Sequence, residues 1–127
     1  MSLHNVRLGE TGERLAESYL MAKGYQAVER NFRCRAGEID LIFRDGATWV
    51  FVEVKTRSGS RYGAGREAVG KAKQAHLQRA AMFYLQRKRL GDVPFRFDVV
   101  EIDTSQCPPR ICHLIQPWAA SPSQYFR

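Results

Sequence analysis

The amino-acid sequence predicts an α/β domain, a mixed central sheet flanked by helices in the order α-β-β-β-α-β-β. Three observations carry this expectation. Two segments repeat apolar residues at helical spacing, five short segments are apolar or alternating in the manner of strands, and glycine- or proline-bearing turns separate them. With 127 residues, 44% of them hydrophobic, the chain can bury a core without disulfide staples. No internal repeat or low-complexity linker interrupts it. One domain over 1–127 is expected, with its core at about 8–116 and a C-terminal tail at about 117–127.

The first element reads as a helix over 8–23, because Leu8, Leu15, Ala16, Tyr19 and Leu20 share one face and Gly24 stands where a helix stops. A short strand over 25–29 follows. Ile39, Leu41 and Phe43 alternate with Glu38, Asp40, Ile42 and Arg44, the period-two pattern of a strand. Asp45-Gly46 is a hairpin dipeptide, and the run over 49–55 is a second strand rich in β-branched and aromatic residues. Residues 59–65, with three glycines, read as a mobile loop. A long helix over about 67–88 places Val69, Ala72, His76, Ala80 and Phe83 on one face, where His76 reads as a core or boundary histidine rather than a ligand. Strands over 95–102 and 111–115 complete the order, with a break at Cys107-Pro108-Pro109 between them.

Cys34, Cys107 and Cys112 are an odd set with no short repeated spacing, so free, buried thiols are expected in preference to disulfides or a zinc site. No stretch is apolar enough to span a membrane, and the first residues lack the apolar segment of an export signal, so the cytoplasm is the expected compartment. The formal charge of +7 is unevenly placed. From Lys55 to Arg89 there are ten basic residues and one acid, a local +9, while the rest of the chain carries −2. That asymmetry points to a polyanionic partner, of which a phosphate backbone is the usual one.

The chemistry lies around the hairpin. A two-residue loop at Asp45-Gly46 sets Asp40 opposite Phe51 and Glu38 opposite Glu53, a four-residue loop sets Asp40 directly opposite Glu53, and a three-residue loop or a bulge would break the parity both share. Either register puts Asp40, Glu53 and Lys55 on one face, because strand side chains alternate. Two carboxylates on neighbouring strands repel each other, and a hard divalent cation between them removes that cost, so Mg²⁺ or Mn²⁺ is the expected cofactor. A metal beside an ammonium group suits phosphodiester hydrolysis. Glu13 lies at the edge of the first helix's apolar arc. Taken alone, it reads more simply as a solvent-facing glutamate than as a fourth site residue.

Asp40 followed by Glu53-Val54-Lys55 resembles the PD-(D/E)xK nuclease motif, with Ile39 in place of the proline. More closely, the chain resembles the YraN-type family of small bacterial predicted endonucleases. The likeness lies in Gly12-Glu13 with Ala16 and Tyr19-Leu20, Gly24-Tyr25, Arg30-Asn31-Phe32-Arg33, Gly37-Glu38-Ile39-Asp40-Leu41-Ile42, the run from Val50 to Arg57, and Arg96-Phe97-Asp98-Val99-Val100. The resemblance implies a restriction-endonuclease-like fold, related to archaeal Holliday-junction resolvases. It also implies a metal site of Glu13, Asp40 and Glu53 with Lys55 as the catalytic amine.

The expected function is therefore a metal-dependent endonuclease acting on DNA, with branched or structured DNA as a candidate substrate. Arg33, Arg35, Arg57, Arg61, Lys71 and Lys73 would hold phosphates, and Tyr62 would stack on an unpaired base. A homodimer is a plausible assembly, since one small domain has limited reach over a branched duplex. Two other readings stay open, namely a nucleic-acid-binding module that does not cleave and a protein-interaction adaptor whose acids and lysine form a structural ion-pair cluster.

Overall fold

In the computed structural model, residues 3–58 and 69–118 are described, with side chains from residue 11 onward. The elements are α1 (Leu3–Ala22), β1 (Gln26–Cys34), β2 (Gly37–Asp45), β3 (Thr48–Arg57), α2 (Lys71–Arg87), β4 (Phe95–Asp103) and β5 (Arg110–Ile115). The predicted order is thus observed. The strands form one sheet in the order β1-β2-β3-β4-β5, with β3 and β4 parallel and every other pair antiparallel. The parallel pair follows from α2, which carries the chain from the end of β3 back to the start of β4. Among the described residues no helix is long and apolar enough to cross a membrane.

The central strands are buried on both faces, so alternation assigns each residue to one helix. Val50 and Val52 of β3 join Leu41, Phe43, Val100 and Ile102 beneath Ala16 and Leu20 of α1. Phe51 points the other way, into a cluster with Ile42, Phe97, Val99 and the α2 residues Leu77, Ala80, Ala81, Tyr84 and Leu85. Tyr84 is the centre of that layer, edge-on to Phe32 at 5.0 Å and to Phe51 at 5.9 Å. Trp118, in the expected tail, stacks on Phe97 and so belongs to the core.

Four expectations are corrected. The first strand does not stop at 29 but runs to Cys34, paired with β2 up to Cys34↔Gly37. It is an edge strand, mostly exposed and bulged between Ala27 and Glu29, so it lacks the alternation that would reveal it. The buried face of α2 is rotated from the predicted one, leaving Ala72, His76 and Phe83 exposed. The hairpin loop is Gly46-Ala47, closed by Asp45↔Thr48, with Gly46 at φ +61 as the first loop residue of a type II′ turn requires. This sets Arg44 opposite Trp49, the register of the longer-loop expectation. The cysteines are free, as expected, but Cys34 and Cys112 are only half-buried and Cys107 is exposed. The glycine-rich loop, with Arg61 and Tyr62, lies outside the described residues.

Helix α1 meets β3 through Gly12. A Cβ at this buried position would collide with Thr56 Oγ1. Helix propensity alone favours alanine over glycine by about 1 kcal/mol. The contact reverses that sign, and Gly12→Ala is expected to destabilise the protein by about 1–3 kcal/mol. Adding Thr56→Ala should recover most of the loss in urea denaturation. A single Gly12→Ala variant more stable than the parent would refute the close approach.

Candidate active site

The β2–β3 ladder runs from Asp45↔Thr48 to Leu41↔Val52 and ends there. Beyond it each strand keeps its outer partner, β2 with β1 as far as Gly37 and β3 with β4 as far as Arg57. Asp40 is the first residue of β2 past the ladder. Ile39 and Ile42 both pack on the α2 side, so strict alternation breaks around Asp40. Its carboxylate fills the seam by accepting the Val54 backbone N–H at Oδ2, 2.8 Å away. A side chain thus replaces a ladder bond, which holds Asp40 beside the peptide that joins Glu53 to Lys55.

Glu53 and Lys55 leave β3 on the same side as Phe51, toward α2. Lys55 Nζ lies 3.3 Å from Glu53 Oε1, and Lys73 Nζ of α2 lies 3.7 Å from the same oxygen. The Glu53 side chain is only 7% exposed, and its other oxygen, Oε2, is buried without a hydrogen-bond partner among the described residues. Such an atom costs about 1–3 kcal/mol, more when charged, so one is retained where something else is to occupy it.

The carboxylates sense one another. Burial, first, and then the Glu53 charge push the Asp40 carboxyl up to about 7 from its ordinary 3.8. The Val54 N–H opposes the rise, and Glu13 and Glu38 add to it. The electrostatic contribution of Glu13 places α1's glutamate within range of the same spot. Among the described residues, no three His, Cys, Asp or Glu side chains are gathered into a ready-made metal cage. The donor set nonetheless fits a hard cation. It consists of oxygen only, one carboxylate has an unsatisfied buried atom, and another is pushed toward its neutral form by burial and then by neighbouring negative charge.

The raised Asp40 carboxyl has a measurable consequence. A carboxyl that binds its proton more tightly when folded favours the folded state fully below pH 3.8, and that advantage is lost as pH rises through 7. Asp40→Asn should therefore stabilise the metal-free protein at pH 8, by roughly 1–3 kcal/mol, and change little at pH 4. Chemical denaturation in EDTA at the two pH values measures it, and equal effects at both would contradict the crowding.

The expected phosphate-binding residues are spread around this centre. Arg33 is exposed at the end of β1, paired with Glu38 at 3.3 Å, and Arg35 is exposed in the turn beside it. Lys71 is exposed at the start of α2. Arg57 faces the buried Glu101 at 4.0 Å, an internal charge pair that sequence reading did not anticipate. Arg33, Cys34, Gly37, Glu38, Lys73 and His76 line an open groove of about 390 Å³ next to Glu53. A second opening beside Glu13 is lined by Arg14, Glu17, Arg30 and Asn31, with Arg30 donating two bonds to Glu17 at 2.6 and 2.8 Å. His76, a boundary residue in the sequence reading, is exposed on the groove wall with Nδ1 3.2 Å from Ala36 O.

The family model described as "Uncharacterised protein family UPF0102" matches residues 12–102, a span that contains Glu13, Asp40, Glu53, Lys55 and Lys73. A UPF0102 protein of Geobacter metallireducens is 50% identical over 114 residues, covering 90% of this chain and 93% of its own. One of Symbiobacterium thermophilum is 52% identical over 110 residues, covering 87% and 93%. One of Clostridium tetani is 46% identical over 102 residues, covering 80% and 84%.

Proposed function

The chain belongs to the uncharacterised protein family UPF0102, and for it we propose the activity of a divalent-metal-dependent nuclease of the PD-(D/E)xK type that hydrolyses phosphodiester bonds in DNA. The observation that carries this reading is the junction where β2 and β3 part. An aspartate whose carboxyl is pushed up to about 7, a buried glutamate with an unsatisfied oxygen and a lysine meet there beside a groove lined in part by Arg33, Lys73 and His76.

Asp40 and Glu53 are the residues to hold Mg²⁺ or Mn²⁺, with Glu13 as a third or outer carboxylate. When bound, the cation supplies an acidified water and neutralises charge on the phosphate. The Lys55 ammonium is tied to the same strand as Glu53 and positions the attacking water or the developing negative charge. Asp40 is oriented by the Val54 N–H, so it offers its remaining lone pairs in a fixed direction. Arg33, Arg35, Lys71 and Lys73 take the phosphate backbone. Branched or structured DNA is the substrate class suggested by the sequence resemblance to Holliday-junction resolvases, and two copies of the chain would extend its reach.

The pairing of Glu53 with two lysines also supports the adaptor reading, in which the cluster is structural. That reading leaves Glu53 Oε2 and the crowded Asp40 without a purpose, because ion pairing alone satisfies neither. Incubating the protein with linear, single-stranded, flap and four-way-junction DNA, in Mg²⁺, Mn²⁺ or EDTA, decides between them. The nuclease reading expects metal-dependent cleavage that Asp40→Asn and Lys55→Ala abolish. Cleavage that persists in EDTA or in both variants would overturn it.

A further inference from the structure

Lys73 occupies an unusual position between two sites. Its ammonium lies 3.7 Å from Glu53 Oε1, the oxygen that Lys55 also approaches. Its side chain also lines the groove with Arg33, Gly37, Glu38 and His76. Two ammonium groups therefore converge on one oxygen of a carboxylate whose other oxygen has no hydrogen bond among the described residues. The two positive charges offset negative charge that Glu53 and Asp40 bring to the same place.

A cation of charge two that binds Glu53 must displace or repel those ammonium groups. The two lysines differ in freedom. Lys55 is 26% exposed and shares a strand with Glu53, whereas Lys73 is 40% exposed, sits on a separate helix and has the groove beside it. We propose that Lys73 is an exchangeable counter-ion, which neutralises Glu53 in the metal-free protein and moves to a substrate phosphate in the adjoining groove when a divalent cation takes Glu53.

The inference rests on the nuclease reading and adds an assignment to it. Metal and Lys73 compete for Glu53, while metal and phosphate cooperate through Lys73. The coupling is reciprocal, so a phosphate in the groove that draws Lys73 away strengthens metal binding by the factor with which metal strengthens phosphate binding. An ordinary phosphate-binding lysine has no such antagonism with the metal.

Mn²⁺ affinity, measured by the loss of the free-ion electron paramagnetic resonance signal, tests the assignment. Lys73→Gln is expected to bind Mn²⁺ about ten-fold more tightly than the parent, since a positive charge within about 4 Å of the ligand oxygen is removed in a partly solvated setting. Its KM for a duplex substrate should rise several-fold, and Lys73→Arg should restore both values toward the parent. Unchanged or weaker Mn²⁺ binding by Lys73→Gln, with the parent binding and Glu53→Gln not binding, would overturn the exchange alone. A parent protein that binds no Mn²⁺ at all would overturn the exchange and the metal site together.

Discussion

Glu53→Gln is expected to lower metal-dependent DNA cleavage by about three orders of magnitude or more, and at the same time to make the metal-free protein more stable. The two effects share one cause. Glu53 is buried, its Oε2 has no hydrogen-bond partner among the described residues, and its charge helps to push the Asp40 carboxyl up. An amide removes the charge at almost no change in volume. A divalent cation loses an anionic ligand, and a deficit of about 4 kcal/mol in the transition state corresponds to a thousand-fold in rate. Lys55 and Lys73 lose their shared partner, but both reach solvent, so their release costs little. Folding no longer buries a charged carboxylate with one oxygen lacking a hydrogen bond, which is worth about 1 kcal/mol or more. Steady-state cleavage in Mg²⁺ and denaturation in EDTA read the two effects separately. Loss of cleavage with loss of stability would make Glu53 a structural residue, and retained cleavage would remove it from the site.

The largest expected loss of stability lies on the opposite face of the sheet. Asp98→Ala should cost about 3–5 kcal/mol, the usual penalty for breaking a buried charge network. For a chain of this length that lowers the melting temperature by on the order of 15 °C. Asp98 is fully buried in β4. It accepts the Arg96 Nε–H at 3.1 Å and the Gln116 backbone N–H at 3.1 Å, and it meets His113 Nε2 at 2.7 Å. Arg96 in turn reaches Asp45 at 3.2 Å and the Tyr25 hydroxyl at 2.7 Å. Lys23 Nζ lies 2.9 Å from His113 Nδ1, so the imidazole bridges Lys23 and Asp98.

One carboxylate thus ties together the end of α1, the β2–β3 hairpin, β4 and the chain leaving β5. Removing it strands Arg96 and His113 in a place they cannot leave. Asp98→Asn, which keeps one acceptor oxygen, should fall between the alanine variant and the parent. Asp98 stands opposite Val52 in the register but faces the other side of the sheet from Glu53, so metal binding below the unfolding temperature should stay near the parental value. An alanine variant within 1 kcal/mol of the parent would show the network to be dispensable.

The strands and helices that could be read from sequence are those with one-sided or continuous apolar patterns. Residues 38–44 and 49–55 were legible because alternation and β-branching report a strand's faces locally. Glu53 and Lys55 could be grouped from parity along one strand, whereas Asp40 joins them through the parting of β2 and β3, where the expected alternation breaks. Asp98 was visible only as a charge inside an apolar run, and nothing nearby names His113 and Gln116 as its partners.

The amino-acid sequence by itself determined the order of elements, the hairpin that brings the acids and the amine together, and the placement of the excess positive charge, because each depends on neighbours a few residues apart. Only the tertiary structure decided where β1 ends, which face of α2 is buried, that β2 and β3 part at Asp40, and that Lys73 shares an oxygen with Lys55. The physical reason is range. Periodicity reports which side of an element is apolar, but which charge stands opposite which is set by how the helices pack on the sheet, where residues far apart in the chain meet in a medium that leaves no carboxylate unanswered without cost.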